Sequence, residues 1–285
     1  MKKLVVLSLL FGLVLPLAAK EKKHSLEIGY EFSDYGYREP HMEYPIRDSA
    51  KKQGISVVYT RHSVLSDEVN DDDPTFASIE FRYMDGKADY DGYLMDGTPF
   101  TINDIRDYYT EVALKLGQSY GSGATKFWPY FGVGGRWLRN GEDAIVTSGS
   151  VTGQMYQRTS SYFYVPLGLN ITFDMGDAAR LTLNGQFDWL IHGNQNSHMT
   201  GYNFDSISNE QGKGLGLRAS AKLEANLGKM GVFVEPFYRY WKIQNSKVVT
   251  LQVVDEHGDP TGDLVDVWEP FNITREYGIR AGITF

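Results

Sequence analysis

Cysteine is absent from this chain of 285 residues, which excludes a small exported fold held together by disulfides. Long apolar runs are also scarce. Beyond residue 19, none approaches the roughly 20 residues that a membrane-spanning helix needs. Basic residues do not dominate either, because the formal net charge is -8, which argues against a nucleic-acid-binding protein. No phosphate-binding loop, zinc spacing or nucleophile elbow is present.

Aromatic residues and glycine, in contrast, are abundant. The chain contains 19 Tyr, 15 Phe, 5 Trp and 30 Gly. This mixture is typical of a β-barrel with aromatic girdles and tightly packed strands. We expect the girdle and rim aromatics to include Trp128, Trp137, Tyr162, Tyr164, Trp189, Tyr238, Tyr240 and Tyr277.

The first 19 residues have the three parts of a secretory signal peptide. Lys2 and Lys3 give a positive start, residues 4–17 are almost wholly apolar, and Ala18 and Ala19 provide a small-residue exit. We predict cleavage near Ala19, which leaves residues 20–285 as one barrel domain. An ordinary N-terminal helix is the alternative.

Apolar and polar residues alternate in many runs along the chain, which is the periodicity of β-strands. The run at 214–227 is the cleanest, with Leu215 and Leu217 against Gly216 and Arg218. Most runs are long enough for the 9 to 11 tilted residues with which a strand spans a bilayer. We predict ten strands, at 25–35, 53–62, 75–84, 107–117, 126–138, 161–174, 180–192, 214–227, 231–242 and from about 272 to the end.

The connections between these runs alternate in length. The predicted external loops, at 36–52, 85–106, 139–160, 193–213 and 243–271, are long and polar, whereas turns such as 228–230 are short. Long loops outside and short turns inside are typical of outer-membrane barrels. The connection at 63–74 is long for a turn, which leaves the placement of the first two strands open. The pattern predicts an all-β, ten-stranded antiparallel transmembrane β-barrel, with eight or twelve strands or a soluble β fold as alternatives.

The last strand carries a further signal. It resembles the C-terminal assembly signal of bacterial outer-membrane proteins, in which apolar or aromatic residues alternate and Phe comes last. The chain as a whole resembles single-chain barrels of OmpA, OmpX or omptin size. The resemblance implies the outer membrane of a Gram-negative-type bacterium, with lipopolysaccharide and lipid around the barrel and the barrel assembly machinery as its partner during biogenesis. The signal residues are Tyr277, Ile279, Ala281, Ile283 and Phe285.

If the apolar faces meet lipid, the opposite faces fill the interior with charged residues. Acids and bases are nearly balanced there, and buried charges are tolerated only in pairs. We therefore predict an ion-pair network that closes a narrow lumen, with a narrow path for ions or water as the alternative. The predicted network consists of Glu27, Glu31, Glu80, Arg82, Glu111, Lys115, Arg136, Asp188, Arg218, Lys222, Glu224, Glu235, Arg239, Glu276 and Arg280.

Two pairs of residues near the outer ends of strands bear on catalysis. Asp188 with His192, and Asp104 with Asp107, resemble the His-Asp pair and the acid pair at the rim of the omptin proteases. Asp188 and His192 would share a face but lie ~13 Å apart at strand rise, too far for a direct pair. We therefore predict a non-enzymatic barrel, without cofactor or metal, whose external loops bind, adhere or support the envelope. A small porin and an omptin-like protease are the alternatives.

Overall fold

The computed structural model describes residues 24–65, 74–94, 97–176, 178–198, 207–255, 257 and 259–285. The predicted signal peptide lies outside these residues. Regular secondary structure in the described part is all β-strand, which confirms the predicted fold class. No helix in these residues is long and apolar enough to cross a membrane.

Ten antiparallel strands close into a barrel, as the sequence predicted. The strands of the chain are β1 (His24–Glu39), β2 (Ile46–His62), β3 (Thr75–Tyr93), β4 (Pro99–Gln118), β5 (Thr125–Asn140), β6 (Ala144–Ser148), β7 (Val151–Met155), β8 (Arg158–Met175), β9 (Ala179–Ser197), β10 (Ile207–Gln211), β11 (Gly214–Asn226), β12 (Gly231–Ile243), β13 (Val249–Val254), β14 (Pro260–Val267) and β15 (Asn272–Thr284). Around the ring the order is β1, β2, β3, β4, β5, β8, β9, β11, β12 and β15, and β15 pairs with β1. We name the end at which β1 connects to β2 the loop end, and the opposite end the turn end.

β10 and β11 form a single barrel strand with a short break. Both pair with β9 in one register, with Gln211 opposite Gly193 and Leu215 opposite Trp189. The break lies opposite a β-bulge in β9. In the pairing of β8 with β9, Phe163 pairs with His192 and the next residue, Tyr164, pairs with Leu190, so Ile191 is the extra residue. The extra residue changes which side chains turn inward beyond that point.

The outward face of the barrel is a band of exposed apolar side chains. On the neighbouring strands β1 and β15, Phe32 is 59% exposed and Ile279 is 53% exposed. Residues of this kind belong against lipid rather than water. At the loop end the band gives way to exposed cations, which we name the charged collar: Lys51, Lys87, Arg106, Arg139 and Arg275.

The strands continue well beyond this band, so the prediction of loops at 36–52 and 85–106 was wrong: most of each stretch is paired strand. β1 and β2 remain paired as far as Glu39 and Ile46, and β3 and β4 as far as Tyr93 and Pro99. We name these parts of β1 to β4, at 34–39, 46–53, 85–93 and 99–107, the extension. A small apolar core lies inside it, formed by Tyr35, Ala50, Ala88, Phe100, Ile102 and Ile105.

Two hairpins, β6 with β7 and β13 with β14, occupy parts of the predicted loops at 139–160 and 243–271. They are separate two-stranded sheets that expose apolar side chains, since Ile145 is 79% exposed and Leu264 is 70% exposed. At the other end, β2 ends at His62 and β3 begins at Thr75. The connection there is therefore as long as predicted, and the first two strands were placed correctly.

Several aromatics expected in the girdles lie inside the barrel instead. Tyr162 and Tyr164 are buried and pack on Trp241, with ring centroids 6.2 Å and 5.3 Å away. The ring of Tyr164 fills the space over Gly134, where a Cβ would come within 2.3 Å of it. Trp128 packs edge-on against the buried Phe76. The strand alternation explains these positions, because each of these aromatics falls on the face opposite the apolar one. Trp137, Trp189 and Tyr277 are exposed on the outer surface.

Candidate functional site

A layer of charged side chains crosses the lumen midway between the two ends. Strand alternation turns them all inward, from β1, β3, β4, β9, β11, β12 and β15, so that side chains distant in sequence meet across the barrel. We name this layer, together with the neutral Tyr109 that donates to Glu276, the plug: Glu31, Arg82, Tyr109, Glu111, Asp188, Arg218, Arg239 and Glu276.

Arg218 connects two acidic groups within the plug. Its Nε donates to Asp188 at 2.6 Å, and its Nη1 donates to Glu111. Its Nη2 donates to the Tyr164 hydroxyl at 3.2 Å. Asp188 also accepts a hydrogen bond of 2.5 Å from Gln186. This guanidinium therefore compensates two buried carboxylates at once.

Arg82 and Arg239 complete the layer on the side of β1. Arg82 lies 3.0 Å from both Glu31 and Glu111. Arg239 donates to Glu31 at 2.7 Å and lies 3.5 Å from Glu276. Glu276 also accepts a hydrogen bond of 2.8 Å from the Tyr109 hydroxyl. Each carboxylate in the plug thus has at least two partners, which is the condition for keeping such charges away from water.

Between the plug and the turn end, the lumen widens into a cavity of about 580 Å³. Ion pairs line its wall as well. Arg280 joins Glu27 at 2.7 Å and Glu235 at 2.6 Å. The remaining pairs of this region are Lys222 with Glu27, Lys222 with Glu224 at 3.6 Å, and Lys115 with Glu80 at 2.7 Å.

On the loop-end side of the plug lies a smaller cavity of about 50 Å³. We name it the upper chamber. Arg136 lines its inner end, with the guanidinium 4.2 Å from the centroid of the Tyr109 ring. The other lining residues are Tyr35, Tyr37, Asp48, Asp107, Leu138, Asn140, Arg158, Ser160, Tyr162, Gln195, Trp241, Ile243, Asn272 and Thr274.

A second ionic cluster borders the upper chamber near the extension. Arg158 donates to Glu269 at 2.8 Å and to Glu39 at 3.2 Å. The Tyr37 hydroxyl donates to Glu39 at 2.6 Å. Sequence reasoning missed this cluster because its acidic and basic members lay in stretches predicted to be loops. No apolar alternation marks these stretches as strands.

Two carboxyls in this region, both beyond the apolar band, have raised pKa values. Burial raises the pKa of Asp48 to about 7; Arg158 opposes the rise, while Asp107 and Glu39 add to it. Burial also raises the pKa of Glu269, with Glu39 contributing. These acids are therefore easier to protonate near neutral pH than exposed carboxyls are.

The charged residues predicted for the lumen all lie buried or half-buried inside the barrel. Nearly all take part in the ion pairs of the plug and of the cavity near the turn end. Arg136 is different: its Nε and Nη2 make no hydrogen bond within the described part of the chain.

The four residues considered for omptin-type catalysis do not come together. Asp188 is buried in the plug with Arg218, whereas the bulge in β9 leaves His192 exposed. The prediction that Asp188 and His192 share a face was therefore wrong. Asp104, with a positive φ of 62°, is exposed and pairs with Lys87 at 3.2 Å. Asp107 is buried, and its carboxylate lies 2.7 Å from the Lys52 ammonium.

The final strand has the expected alternation. Tyr277 and Ile279 are exposed on the outer face, as is Phe285, whereas Arg280 is buried in the lumen. The role of this strand as an assembly signal, which also involves Ala281 and Ile283, remains a prediction. Among the described residues, no group of three or more His, Cys, Asp or Glu side chains is arranged to hold a metal ion.

Comparison with known proteins supports the fold. No family model and no curated protein matches the chain. The outer membrane protease OmpT from Escherichia coli is similar in structure, with 9% identity, a TM-score of 0.63, and coverage of 94% of this chain and 98% of that one. At this identity the match establishes a shared fold and nothing about activity.

Weaker structural matches include two other outer-membrane proteins. The attachment invasion locus protein Ail of Yersinia pestis has 11% identity and a TM-score of 0.29, covering 93% of this chain and 100% of that one. The β domain of the Bordetella autotransporter BrkA has 10% identity and a TM-score of 0.38, covering 90% and 99%. Scores this low do not establish closer kinship. The chain has the fold of a single-chain outer-membrane β-barrel.

Proposed function

We propose that this protein is a non-enzymatic and non-conducting outer-membrane barrel whose extracellular part is a binding surface. The plug is the observation that carries the proposal. Its side chains fill the lumen between the upper chamber and the cavity near the turn end, and each of its carboxylates is held by at least two donors. A solute crossing the barrel would have to break several buried ion pairs, which is costly.

The extension supports the second half of the proposal. Paired strands, rather than mobile loops, project beyond the apolar band, and the hairpins beyond them expose Ile145 and Leu264. Long connections in these barrels face the cell exterior. Apolar side chains held on ordered strands at that surface lose little conformational entropy when they bind a partner.

Single-channel recording in a planar bilayer tests the plug. We expect the refolded wild-type barrel to be silent, and the neutralised variant Glu111→Gln/Arg218→Gln to conduct in discrete steps, because it removes two charges that hold the layer together. The matched control is Lys87→Gln/Asp104→Gln, which neutralises an exposed pair and should stay silent. Steps from the wild-type barrel would favour the porin alternative.

Attachment assays test the binding surface. Bacterial host cells that express the barrel are compared with host cells lacking it for attachment to cultured epithelial cells. We expect the wild-type barrel to increase attachment and Ile145→Ser/Leu264→Ser to abolish the increase. Leu65→Ser replaces an equally exposed residue, 84% exposed, near the turn end and should have no effect. If the wild-type barrel does not increase attachment, adhesion is not its role.

Peptide cleavage tests the non-enzymatic part of the proposal. We expect no cleavage of a mixed peptide library by the refolded barrel, because neither Asp188 nor Asp107 is free to act as a base beside a histidine. Cleavage activity that remains after repurification and is lost in an Asp107→Asn variant would favour the omptin-type alternative.

Lipopolysaccharide is the partner that we propose for the outer surface of the barrel. The charged collar supports this, because Lys51, Lys87 and Arg139 are exposed next to the band, at the level expected of anionic head groups. Replacing these three residues by Gln should reduce co-purification of lipopolysaccharide with the barrel. Unchanged co-purification would contradict the proposal.

A further inference from the structure

The upper chamber contains buried polar atoms that have no partner within the described part of the chain. They are Nε and Nη2 of Arg136 and Oδ1 of Asp48. The two residues are only 2% and 6% exposed, respectively. Leaving such atoms unsatisfied destabilises a fold, and buried polar groups normally have a partner. Because donors outnumber acceptors here, the missing partner is an acceptor.

The two free atoms of Arg136 belong to one edge of its guanidinium. That edge donates two parallel hydrogen bonds, the geometry that fits the two oxygens of a carboxylate. The guanidinium carbon of Arg136 lies 4.2 Å from the centroid of the Tyr109 ring, a cation–π contact that helps to hold the group in place. Arg136 therefore lines the chamber with one edge of its guanidinium free to bind an acceptor.

The other charges around the chamber, except that of Asp48, already have ion-pair partners. The Lys52 ammonium lies 2.7 Å from the Asp107 carboxylate, and Arg158 is held by Glu39 and Glu269. Arg136 has no carboxylate within ion-pair distance among the described residues. Glu111 and Glu276 act on Arg136 only at longer range, so a bound anion would pair directly with its free edge without disturbing these ion pairs.

We propose that the upper chamber binds a small planar oxyanion of the acetate, formate, nitrate or bicarbonate class, held by Nε and Nη2 of Arg136. The volume of about 50 Å³ is well below the ~150 Å³ of a cavity that holds benzene, so larger anions are excluded. With its raised pKa of about 7, Asp48 can be protonated and donate to a second oxygen of the anion.

The test is titration of the refolded full-length chain with ¹³C-labelled acetate, followed by NMR linewidth. We expect saturable binding that nitrate displaces and that the tetrahedral sulfate ion does not. Arg136→Lys keeps the positive charge but loses the two parallel donors of the guanidinium edge, and should weaken acetate binding by about tenfold or more. Arg47→Lys makes the same change at an exposed position of β2 outside the charged collar and should bind like the wild type.

Gln195→Glu provides a second test that leaves Arg136 in place. Its carboxylate would repel the anion, so binding should weaken at least several-fold. If Arg136→Lys does not show the heat-modifiable migration of a folded barrel on a gel, Gln195→Glu is the variant that tests anion binding. Absence of saturable binding to the wild type, equal displacement by sulfate, or unchanged affinity in Gln195→Glu would each overturn the proposal.

Discussion

At the scale of single residues, Arg218 shows how strongly buried charges depend on one another. It is the shared partner of Asp188 and Glu111. Replacing it by Leu would leave both carboxylates short of a donor in a low-dielectric interior. We expect Arg218→Leu to lower the free energy of unfolding by ~3–5 kcal/mol, measured by equilibrium unfolding in urea from phospholipid vesicles.

The control for this prediction is Lys87→Leu. Lys87 and its partner Asp104 are both exposed, so water screens the pair and its loss should have little effect. If the two variants were equally stable, the plug would contribute no more than a surface ion pair.

Asp48 predicts a pH dependence. The pKa of Asp48 is about 7 in the folded barrel, whereas the ordinary value, which applies to the unfolded chain, is 3.8. At pH values between these two, the folded state therefore binds more protons than the unfolded state. Stability should therefore fall as pH rises through this range. Asp48→Asn removes the ionisation and should stabilise the barrel at about pH 8 by up to a few kcal/mol, and far less at about pH 4.

Unfolding of Asp48→Asn at both pH values measures this effect. Asp89→Asn, at an exposed position in β3, is the control for the loss of one negative charge. Equal stabilisation at the two pH values would contradict the assignment of a raised pKa to Asp48.

The charges of the plug could be predicted from the sequence, whereas those of the upper chamber could not. Glu111 and Arg218 lie in runs whose other face is apolar, so alternation alone turns them inward. Asp48 and Arg158 lie beyond the band, where both faces of a strand are polar. In that region water replaces lipid on the outside, and the apolar alternation that reveals a strand disappears.

At the scale of elements, the same reasoning explains the errors about the loops. In residues 46–53 of β2, Arg47, Ser49 and Lys51 face outward and are exposed, whereas Ala50 faces the small inner core. The sequence therefore resembles a polar loop. The bulge in β9 is a second feature that alternation does not locate. Trp189, Leu190 and Ile191 are consecutive apolar residues, so the pattern does not show at which residue the two faces exchange.

The packing of β5 against β8 predicts the effect of a glycine substitution. A Cβ at Gly134 would lie 2.3 Å from the Tyr164 ring, so Gly134→Ala must displace that ring from its place beside Trp241. We expect a destabilisation of ~1–3 kcal/mol from overpacking, measured by unfolding in urea. Gly185→Ala, where no atom lies within 4 Å, should have little effect. Similar losses in both variants would point to backbone effects rather than to the ring.

At the scale of the whole molecule, the absence of cysteine makes the orientation directly testable. Single cysteines at Ile145 and Leu65 lie at opposite ends of the barrel, and both side chains are largely exposed. With a membrane-impermeant maleimide, Ile145→Cys should be labelled on intact cells. Leu65→Cys should be labelled only after the outer membrane is permeabilised. Labelling of Leu65→Cys on intact cells would reverse the proposed orientation.

The pairing of the first barrel strand with the last has a kinetic consequence. β1 and β15 are neighbours, and the Glu27–Arg280 hydrogen bond joins residues 253 positions apart. The ring therefore cannot close until β15 has left the ribosome, and until then two strand edges stay unpaired and open to aggregation. Contacts this distant in sequence make closure slow. Folding of this protein must therefore follow synthesis, and the chain has to be kept from collapsing until its final strand is in place.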